Sequence, residues 1–575
     1  MAGPITRHRG IESLKTAARW PGADRATVVT LATRLAAVRA DAEGYSYFQE
    51  QADAHPDQAL PLALAGFFQA RLGTDTGAAL AKLDKAAEAD LGPPQFFRGL
   101  ALAVLPADRE RAERAIQDLE FVLAVRDQFP LQLIRAVYWG LAAAYAALGQ
   151  DDRAAEALRN AGLDSLPSDS GMLFGSYWAN AEDGFRFTTP SIWRPEPGVH
   201  VAQGYDFGDF AFITTSDGVV AIDAGTSAAR VTAALGEIGL PAGQAITHLI
   251  LTHSHFDHVG GVDAVRGPGT QLLAQAAFPG ELEHQRRNAL PFRYFTGTSG
   301  AGPSGIPDGD IVPDRLISEP TALTVGGTGL VLYPTRGGET GDALMIHLPG
   351  SGLLFTGDVM MPYLGAPFFA EGSPDGLLET LAFIRELQPR VLIQGHTVLT
   401  EMFTIEALPG LEAALTQLRD EVLDGIRRGL SLADILDRGH LPEVLRDHPM
   451  AVLPYLVIRD NFTARLYHQR AGYWGADRRG LEPVTAQQRA AALDLLAGGR
   501  EDAFTAAAQT LIGQGDDVLA LQIIEPGLLR HPASTELAGL RRTVMHRLME
   551  RYQQDDAFRF LIYAELAEAA IGPVR

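Results

Sequence analysis

The sequence predicts a layered α/β domain that lies between two helical regions. Alanine- and leucine-rich stretches with helical periodicity run from residue 10 to about 165, and again from about residue 405. Between them short β-type runs alternate with helical segments, which is the pattern of a layered α/β domain. The length of 575 residues also allows three or four domains. We therefore expect a helical domain at 1–165, a linker at 166–194, the α/β domain at 195–405 and a second helical domain at 406–575.

The N-terminal helices have the form of repeated helix pairs. In "YWGLAAAYAALGQDDRAAEALRNAG" one helix ends at Leu148 and Gly149, and the next carries small residues at Ala154 and Ala155. The stretch around Gly73 has the same form. Small residues let paired helices approach closely, so the region resembles degenerate tetratricopeptide-type helix pairs. A plain helical bundle is the alternative.

The central segment starts with a hairpin pattern. "FAFITT" and "VVAIDAG" are β-type runs that flank Ser216-Asp217-Gly218, which is a turn signal. "SAARVTAALGEIG" then predicts a helix, and "THLILTH" predicts a buried strand. Strands and helices alternate from there to about residue 400, as expected for the α/β domain.

Composition excludes several classes of function. Cysteine is absent, so a metal site would be built from imidazole and carboxylate groups alone. The net charge of −22, with no Lys/Arg run, disfavours nucleic acid as a partner. No stretch approaches the ~20 unbroken apolar residues of a membrane span, and the N-terminus has no apolar core of signal-peptide type. We therefore expect a cytoplasmic protein without a membrane span.

The stretch "LTHSHFDHVGG" concentrates metal-binding side chains. It contains His253, His255, Asp257 and His258, in a chain that has only 15 histidines. A predicted strand precedes it and a predicted helix follows it, so it forms the loop at the carboxyl end of a strand, where α/β folds place functional residues. His253 and His255 can bind one ion, and Asp257 and His258 can bind a second. Nitrogen and oxygen donors without sulfur suit Zn²⁺, with Mn²⁺ or Fe²⁺ as alternatives.

This loop and its surroundings resemble the metallo-β-lactamase superfamily. "VVAIDAGTS" resembles the family's strand before the first helix, with Asp223 as the buried carboxylate behind the metal ligands. "LLFTGDVM" resembles the segment with the bridging aspartate, here Asp358, and "VLIQGHT" the segment with the last histidine, here His396. The resemblance covers roughly residues 195–400. It implies a four-layered αββα sandwich.

One ligand position indicates a branch of this superfamily. Most members have a histidine 19 residues before the bridging aspartate; here 358 − 19 = 339, and Glu339 occupies that turn. Glutamate at this position is a feature of the alkylsulfatase branch. "NFTARLYHQRAGYWG" and "GQGDDVLALQIIEPGLLRHP" resemble the helical dimerisation domain of that branch, which extends the resemblance to about residue 540. The resemblance therefore implies a homodimer.

The resemblance also implies a ligand set for two divalent metal ions, with Asp358 as the bridge. One ion would be held by His253, His255 and Glu339, and the other by Asp257, His258 and His396. In that arrangement Asp257 and Asp358 would be the catalytic carboxylates that orient a metal-bridging hydroxide. His248, which lies five residues before the motif, is expected to brace the loop together with Asp223.

The function that follows from the resemblance is hydrolysis of a small-molecule sulfate ester by a binuclear metal centre. A phosphodiesterase, a lactonase or another esterase of the superfamily is the alternative, and a non-catalytic helical-repeat scaffold with a relic metal site is a second one. A β-lactam is not expected as the substrate, because the three-domain architecture differs from that of the β-lactamase branch.

Two departures from the alkylsulfatase pattern bear on the substrate. The Asp358-Val359 pair stands where that branch has Glu-Asn, and Glu371 stands where it has an arginine that grips sulfate. A glutamate would repel an anionic ester, so another cation should replace the missing arginine. Arg293 and Arg336 are the candidates, and Tyr294 is a further candidate for contact with the substrate.

Overall fold

The computed structural model gives the fold of most of the chain. The description that follows covers residues 9–105, 108–161, 178–180, 184–240, 244–287, 306–307, 309, 311–362, 372–472, 481–554 and 556–571.

The N-terminal region is helical, as the sequence predicts. Its helices are α1 (Arg9–Ala18), α2 (Arg25–Ala37), α3 (Asp41–Ala54), α4 (Ala59–Arg71), α5 (Thr76–Ala89), α6 (Pro93–Val104), α7 (Arg109–Ala124), α8 (Leu131–Ala147) and α9 (Asp151–Asn160). Each helix packs against the next along the chain, and α6 also packs against α4 and α8.

Close contacts between these helices depend on small residues. A Cβ atom added at Gly66 of α4 would lie 2.9 Å from the Ala79 carbonyl oxygen of α5. One added at Gly99 of α6 or at Gly140 of α8 would lie 2.7 Å from side-chain atoms of Leu119 in α7. The helices therefore approach one another where a side chain is missing. The tetratricopeptide-type assignment stays a prediction.

The central region contains the strands. They are β1 (Trp178–Asn180), β2 (Gly184–Arg186), β3 (Ser191–Glu196), β4 (Val199–Gln203), β5 (Phe210–Thr215), β6 (Gly218–Ile222), β7 (Ile246–Ile250), β8 (Gln271–Gln275), β9 (Arg315–Ile317), β10 (Thr321–Val325), β11 (Thr328–Pro334), β12 (Leu344–Leu348), β13 (Leu353–Gly357) and β14 (Val391–Gln394). The intervening helices are α10 (Ala228–Ile238), α11 (Phe256–Val259), α12 (Val262–Val265), α13 (Phe278–Arg287), α14 (Pro374–Leu387) and α15 (Thr397–Met402).

The strands form two large sheets and a small hairpin. Strands β3 to β9 lie in sequence order in one sheet, in which β3 to β6 pair antiparallel and β6 to β9 pair parallel. Strands β10 to β14 form the second sheet, in which β13 and β14 are the parallel pair. Strands β1 and β2 pair with each other. The carboxyl ends of the parallel strands are the edges at which functional residues are expected.

The two large sheets pack face to face through alternate side chains. Ile213 and Ile250 from the first sheet share one buried cluster with Ile346 and Phe355 from the second. The other face of each strand belongs to a different cluster, in which Phe212 of β5 packs with residues of α10, α14 and the flanking helices. Period-two alternation places one face of each sheet inward and the other under helices. The αββα sandwich predicted from the sequence is therefore confirmed.

The C-terminal region is also helical. Its helices are α16 (Leu408–Arg427), α17 (Leu432–Asp437), α18 (Val452–Ala471), α19 (Ala486–Leu496), α20 (Glu501–Gln514), α21 (Asp517–Arg530), α22 (Thr535–Tyr552) and α23 (Ala557–Ile571). In the part of the chain described, no helix combines the length and apolar character that a bilayer crossing requires.

The two helical regions contact one another, which sequence analysis does not anticipate. Arg39 forms an ion pair of 2.9 Å with Glu550, and Gln554 donates a buried 2.6 Å hydrogen bond to the hydroxyl of Thr33. Helix α1 also contacts α18. The N-terminal helices therefore pack onto the C-terminal ones.

Candidate metal centre

The predicted metal-binding side chains all follow strand ends at one edge of the sandwich. The loop with His253 and His255 follows β7, and Asp257 and His258 lie in the short helix α11 that continues it. Asp358 follows β13 directly. His396 follows β14, and Glu339 lies in the loop between β11 and β12. Since β13 and β14 are parallel neighbours, their carboxyl ends meet at the same edge.

The structure brings all seven predicted ligands together, in two groups. In each group the members can offer one donor atom each, and these atoms lie within 4.8 Å of one another. All seven side chains are buried. The first group is His253, His255 and Glu339, and the second is Asp257, His258, Asp358 and His396.

Asp358 lies between the two groups. Its Oδ2 atom is 3.0 Å from His396 Nε2 and 3.4 Å from His258 Nε2, both in the second group. The same oxygen is 4.0 Å from His253 Nε2 in the first group. A single carboxylate oxygen thus faces donors of both groups, which is the position that a bridging ligand requires.

The spacing of the donor atoms fits a metal ion. His255 Nδ1 lies 3.4 Å from Glu339 Oε2, and His258 Nε2 lies 3.4 Å from Asp257 Oδ2. Two ligands on a tetrahedral ion with bonds of roughly 2.0–2.2 Å are about 3.3–3.6 Å apart. His253 Nε2, His258 Nε2 and Glu339 Oε2 are moreover buried without a hydrogen-bond partner. Unpartnered buried polar atoms are costly, so this set of donors suggests divalent metal binding.

Electrostatics at the centre favour positive charge. Burial lowers the pKa of His258, but the carboxylates of Asp257, Asp358 and Asp223 raise it well above its usual value. Burial likewise lowers the pKa of His396, and Asp358 and Asp257 raise it to about 9. The carboxylates therefore favour the protonated, cationic form of the His258 and His396 imidazoles. A divalent ion would replace those protons, because metal binding requires the deprotonated ligand.

Asp223 supports the centre from behind. Its Oδ2 accepts a 2.9 Å hydrogen bond from His258 Nδ1, and Thr252 donates to its two oxygens from the backbone N–H and the hydroxyl, both at 2.7 Å. Asp223 has a φ of 59°, a left-handed conformation that is unusual for a residue with a side chain. The hydrogen bond fixes the proton of His258 on Nδ1 and leaves Nε2 for a metal.

A loop that sequence analysis missed supports His396. The Nδ1 atom of His396 donates a 2.9 Å hydrogen bond to the carbonyl oxygen of Phe207, and the two rings lie 4.6 Å apart. Thr397 donates a 2.6 Å hydrogen bond to Asp209. The signal was present in "GYDFGDF", where two aspartates and two glycines interrupt the predicted strands. Sequence spacing alone does not show that these residues face His396.

The remaining candidates lie at different distances from this centre. His248 is half-buried in strand β7, and its Nδ1 lies 3.0 Å from the hydroxyl of its neighbour Thr247. Its role in bracing the loop stays a prediction. Arg336 is exposed in the loop that carries Glu339. Arg293, Tyr294 and Glu371 lie outside the described residues.

A protein-family model matches the central region of the chain. Residues 204–396 match the model described as the metallo-beta-lactamase superfamily. The chain carries a metallo-β-lactamase domain. The matched segment begins at the loop after β4 and ends at His396, so it contains all seven candidate ligands.

Two curated relatives are similar to parts of the chain. The linear primary-alkylsulfatase of a Pseudomonas species is 22% identical over 335 residues, which are 53% of this chain and 63% of that protein. The hydroxyacylglutathione hydrolase of Rhodobacter capsulatus is 29% identical over 168 residues, which are 28% of this chain and 54% of that protein. The chain thus spans between about half and two thirds of the length of these relatives.

Solved structures extend the likeness beyond the matched domain. The stereoselective inverting sec-alkylsulfatase Pisa1 from Pseudomonas sp. superposes with a TM-score of 0.55 at 20% identity, and the superposition covers 67% of this chain and 66% of that one. A double mutant of the same sec-alkylsulfatase gives a TM-score of 0.56, also at 20% identity. At this identity the likeness shows the fold alone. The curated alkylsulfatase relative supports the predicted alkylsulfatase-like branch.

We expect Asp223→Asn to lower the affinity for metal by about 10- to 100-fold. In the variant an amide NH₂ group at the position of Oδ2 would donate to His258 Nδ1, so the proton of the imidazole would move to Nε2 and block the metal-binding nitrogen. Competition with a chromophoric chelator measures the affinity. Asp217→Asn, a change at an exposed turn aspartate at the other end of β6, should leave it unchanged. Equal affinities of the two variants would contradict the role of Asp223.

We expect Glu339→His to keep both metal ions and to change the rate of hydrolysis. Histidine occupies this turn in most of the superfamily, so the geometry should tolerate it. Loss of one negative charge should increase the Lewis acidity of the bound ions. Elemental analysis and steady-state kinetics test the two halves of this expectation. A variant that holds neither ion would show that the alignment of the turn at Glu339 is wrong.

Proposed function

We propose that this chain is a binuclear metal-dependent hydrolase of small-molecule sulfate esters. The observation that carries the proposal is the pair of buried donor groups, both of which face the carboxylate of Asp358. The likeness to two alkylsulfatases supports the ester class. Zinc is the proposed metal, because all the donors are imidazole nitrogens and carboxylate oxygens and no thiolate is available.

Some side chains of the centre would hold the two metal ions, and others would orient the attacking water. When bound, two divalent ions would supply Lewis acidity and lower the pKa of water towards neutrality. Asp358 faces both donor groups, so its carboxylate would fix the distance between the two halves. The Asp257 carboxylate, 3.4 Å from both His258 Nε2 and His396 Nε2, would accept a proton of the attacking water and orient it.

The charge of the ligand set supports a singly charged or neutral ester. Three ligand carboxylates contribute −3 and two divalent ions would contribute +4, which leaves +1 when the imidazoles and the attacking water are counted as neutral. A sulfate monoester carries one negative charge, which this excess balances. A doubly charged phosphate monoester would leave the buried centre with a net negative charge, which burial disfavours.

A carboxylic ester or a lactone is the second candidate substrate. The likeness to a hydroxyacylglutathione hydrolase favours it, because that relative is 29% identical over the 168 residues that it shares with this chain. Phosphodiesters have the same charge as sulfate monoesters and are the third class to include in an assay.

Metal analysis and a substrate panel test the proposed function. We expect about two zinc-class ions per chain after gentle purification, and turnover of alkyl or aryl sulfates that exceeds turnover of matched phosphodiesters and lactones. Removal of the metal by a chelator should abolish turnover, and added Zn²⁺ or Mn²⁺ should restore it. Fewer than one ion per chain would favour a scaffold with a relic site. Hydrolysis of uncharged esters alone would favour the second candidate.

Arg336 is proposed to replace the sulfate-gripping arginine of the alkylsulfatase branch. It is exposed and lies three residues before Glu339, so it can face an anionic ester at the mouth of the centre. We expect Arg336→Ala to raise KM for a sulfate ester more than tenfold, about 1.4 kcal/mol, and to leave a neutral ester nearly unaffected. Arg315→Ala, at an exposed arginine of β9, is the control. Normal sulfate ester kinetics in Arg336→Ala would contradict the role of Arg336, and normal kinetics in Arg293→Ala as well would reject both candidate cations.

The C-terminal helices are proposed to form a homodimer. Leu495 and Leu496 at the end of α19 are 83% and 85% exposed, which is unusual for adjacent leucines. Light scattering should give twice the mass of one chain, and Leu495→Glu with Leu496→Glu should give monomers. Leu91→Glu, at a leucine that is 71% exposed in the N-terminal region, should leave the dimer intact. A monomeric unmodified protein at micromolar concentration would contradict the dimer.

A further inference from the structure

The loop between β4 and β5, residues 204–209, contacts the second group of ligands at several points. We name it the 204–209 loop. Its two ends continue strands of the first sheet, and its middle lies against α11 and the segment around His396. The seven-ligand set assigns none of its residues a role.

The 204–209 loop is anchored independently of the ligands. The Asp206 carboxylate accepts hydrogen bonds from the backbone N–H groups of Thr226 and Ser227, at 3.0 and 2.9 Å, just before helix α10. It also accepts a 3.1 Å hydrogen bond from the N–H of Phe207. These hydrogen bonds fix the loop to the segment that precedes α10, and none of them involves a candidate metal ligand.

Three hydrogen bonds join the 204–209 loop to the segment that carries His396. The carbonyl oxygen of Phe207 accepts from His396 Nδ1 at 2.9 Å. The backbone N–H of Asp209 donates to the Gly395 carbonyl oxygen at 2.7 Å, and its carboxylate accepts from the Thr397 hydroxyl at 2.6 Å. His396 and both of its chain neighbours are thus held by one loop. Asp209 is only 5% exposed, so these hydrogen bonds lie away from solvent.

The same loop touches the backbone of Asp257. A Cβ atom added at Gly208 would lie 2.3 Å from the Asp257 carbonyl oxygen and 3.4 Å from its Oδ2 atom. A real Cβ cannot approach a backbone oxygen so closely, so only glycine permits this contact. The φ of Gly208 is not positive, and the requirement is therefore for space and not for an unusual backbone conformation.

We infer that the 204–209 loop positions the second half of the metal centre, with Gly208 and Asp209 as its positioning residues. The loop sets the backbone of Asp257 through Gly208 and sets the imidazole of His396 through Phe207 and Asp209. His253 and His255 of the first half share a loop with Asp257, but the three hydrogen bonds and the close contact of the 204–209 loop involve none of His253, His255 and Glu339. The inference rests on the proposed metal centre. Its claim about the positions of the Asp257 backbone and the His396 imidazole concerns the protein without metal.

Stepwise metal binding tests the inference. Titration of metal-free protein with Co²⁺, followed by its visible spectrum, separates the two ions. We expect Gly208→Ala to weaken one of the two binding steps at least tenfold and to leave the other within twofold. Gly236→Ala, at a glycine of α10 where an added Cβ meets nothing within 4 Å, should change neither step. Equal weakening of both steps, or of neither, would overturn the inference.

The hydrogen bond from Thr397 allows a second, milder test. Thr397→Val keeps the shape of the side chain and removes the hydroxyl that Asp209 accepts from, whereas Thr397→Ser keeps the hydroxyl. We expect the valine variant to weaken the same binding step as Gly208→Ala, and the serine variant to restore it. A serine variant as weak as the valine variant would show that packing, and not the hydrogen bond to Asp209, is what matters.

Crystal structures of metal-free protein separate this inference from the proposed function. We expect Gly208→Ala to move the Asp257 backbone by more than about 1 Å away from the loop, and to leave His253 and His255 in place, since a Cβ needs at least about 3.0–3.4 Å of clearance. This result would stand even if the unmodified protein bound no metal and the proposed function failed. Superposable Asp257 backbones in the variant and the unmodified protein would overturn the positioning role.

Discussion

Burial of four imidazoles and three carboxylates at one edge of the two-sheet sandwich is the constraint on which the rest of the site depends. His258 and His396 are fully buried, and Asp358 is 4% exposed. Removing such groups from water costs several kcal/mol per charge unless opposite charge compensates. The carboxylates accordingly raise the pKa of both histidines. Positive charge is therefore required at this position, and protons or metal ions can supply it.

The protein holds these charged groups in place largely through its backbone. The N–H of Ala224 donates a 2.9 Å hydrogen bond to the carbonyl oxygen of His258, and Phe207 accepts from His396 with its own carbonyl oxygen. At Gly395 an added Cβ would lie 2.2 Å from Asp358 Oδ1, so the chain passes directly against the Asp358 carboxylate. Strand order brings the ligand segments to one edge, and these loop contacts then set the position of each ligand.

Ligands that lie close together in the sequence could be predicted from their spacing, whereas ligands that lie far apart needed other information. His253, His255, Asp257 and His258 lie in one loop, so their spacing alone indicated metal binding. Glu339, Asp358 and His396 come from the second sheet, and only the family resemblance could connect them with that loop. The hydrogen bond between His396 and Phe207 spans 189 positions of the chain, and no spacing rule relates residues so far apart.

The fold shows the same division, because helical periodicity depends on neighbours three and four positions apart and identifies an apolar face but not its partner. It predicted both helical regions, but not that the N-terminal helices would contact helices more than 500 positions later.

A series of aromatic contacts connects the C-terminal helices with the candidate metal centre. The ring centroids of Phe560 in α23 and Phe185 lie 6.3 Å apart. Those of Phe185 and Phe207 lie 5.1 Å apart, and those of Phe207 and His396 lie 4.6 Å apart. Helix α23 is therefore part of the packing behind His396. The core between the sheets, around Ile250 and Ile346, does not depend on that helix. The sandwich therefore has an inner core of strand residues, whereas part of the packing behind His396 comes from the C-terminal helices.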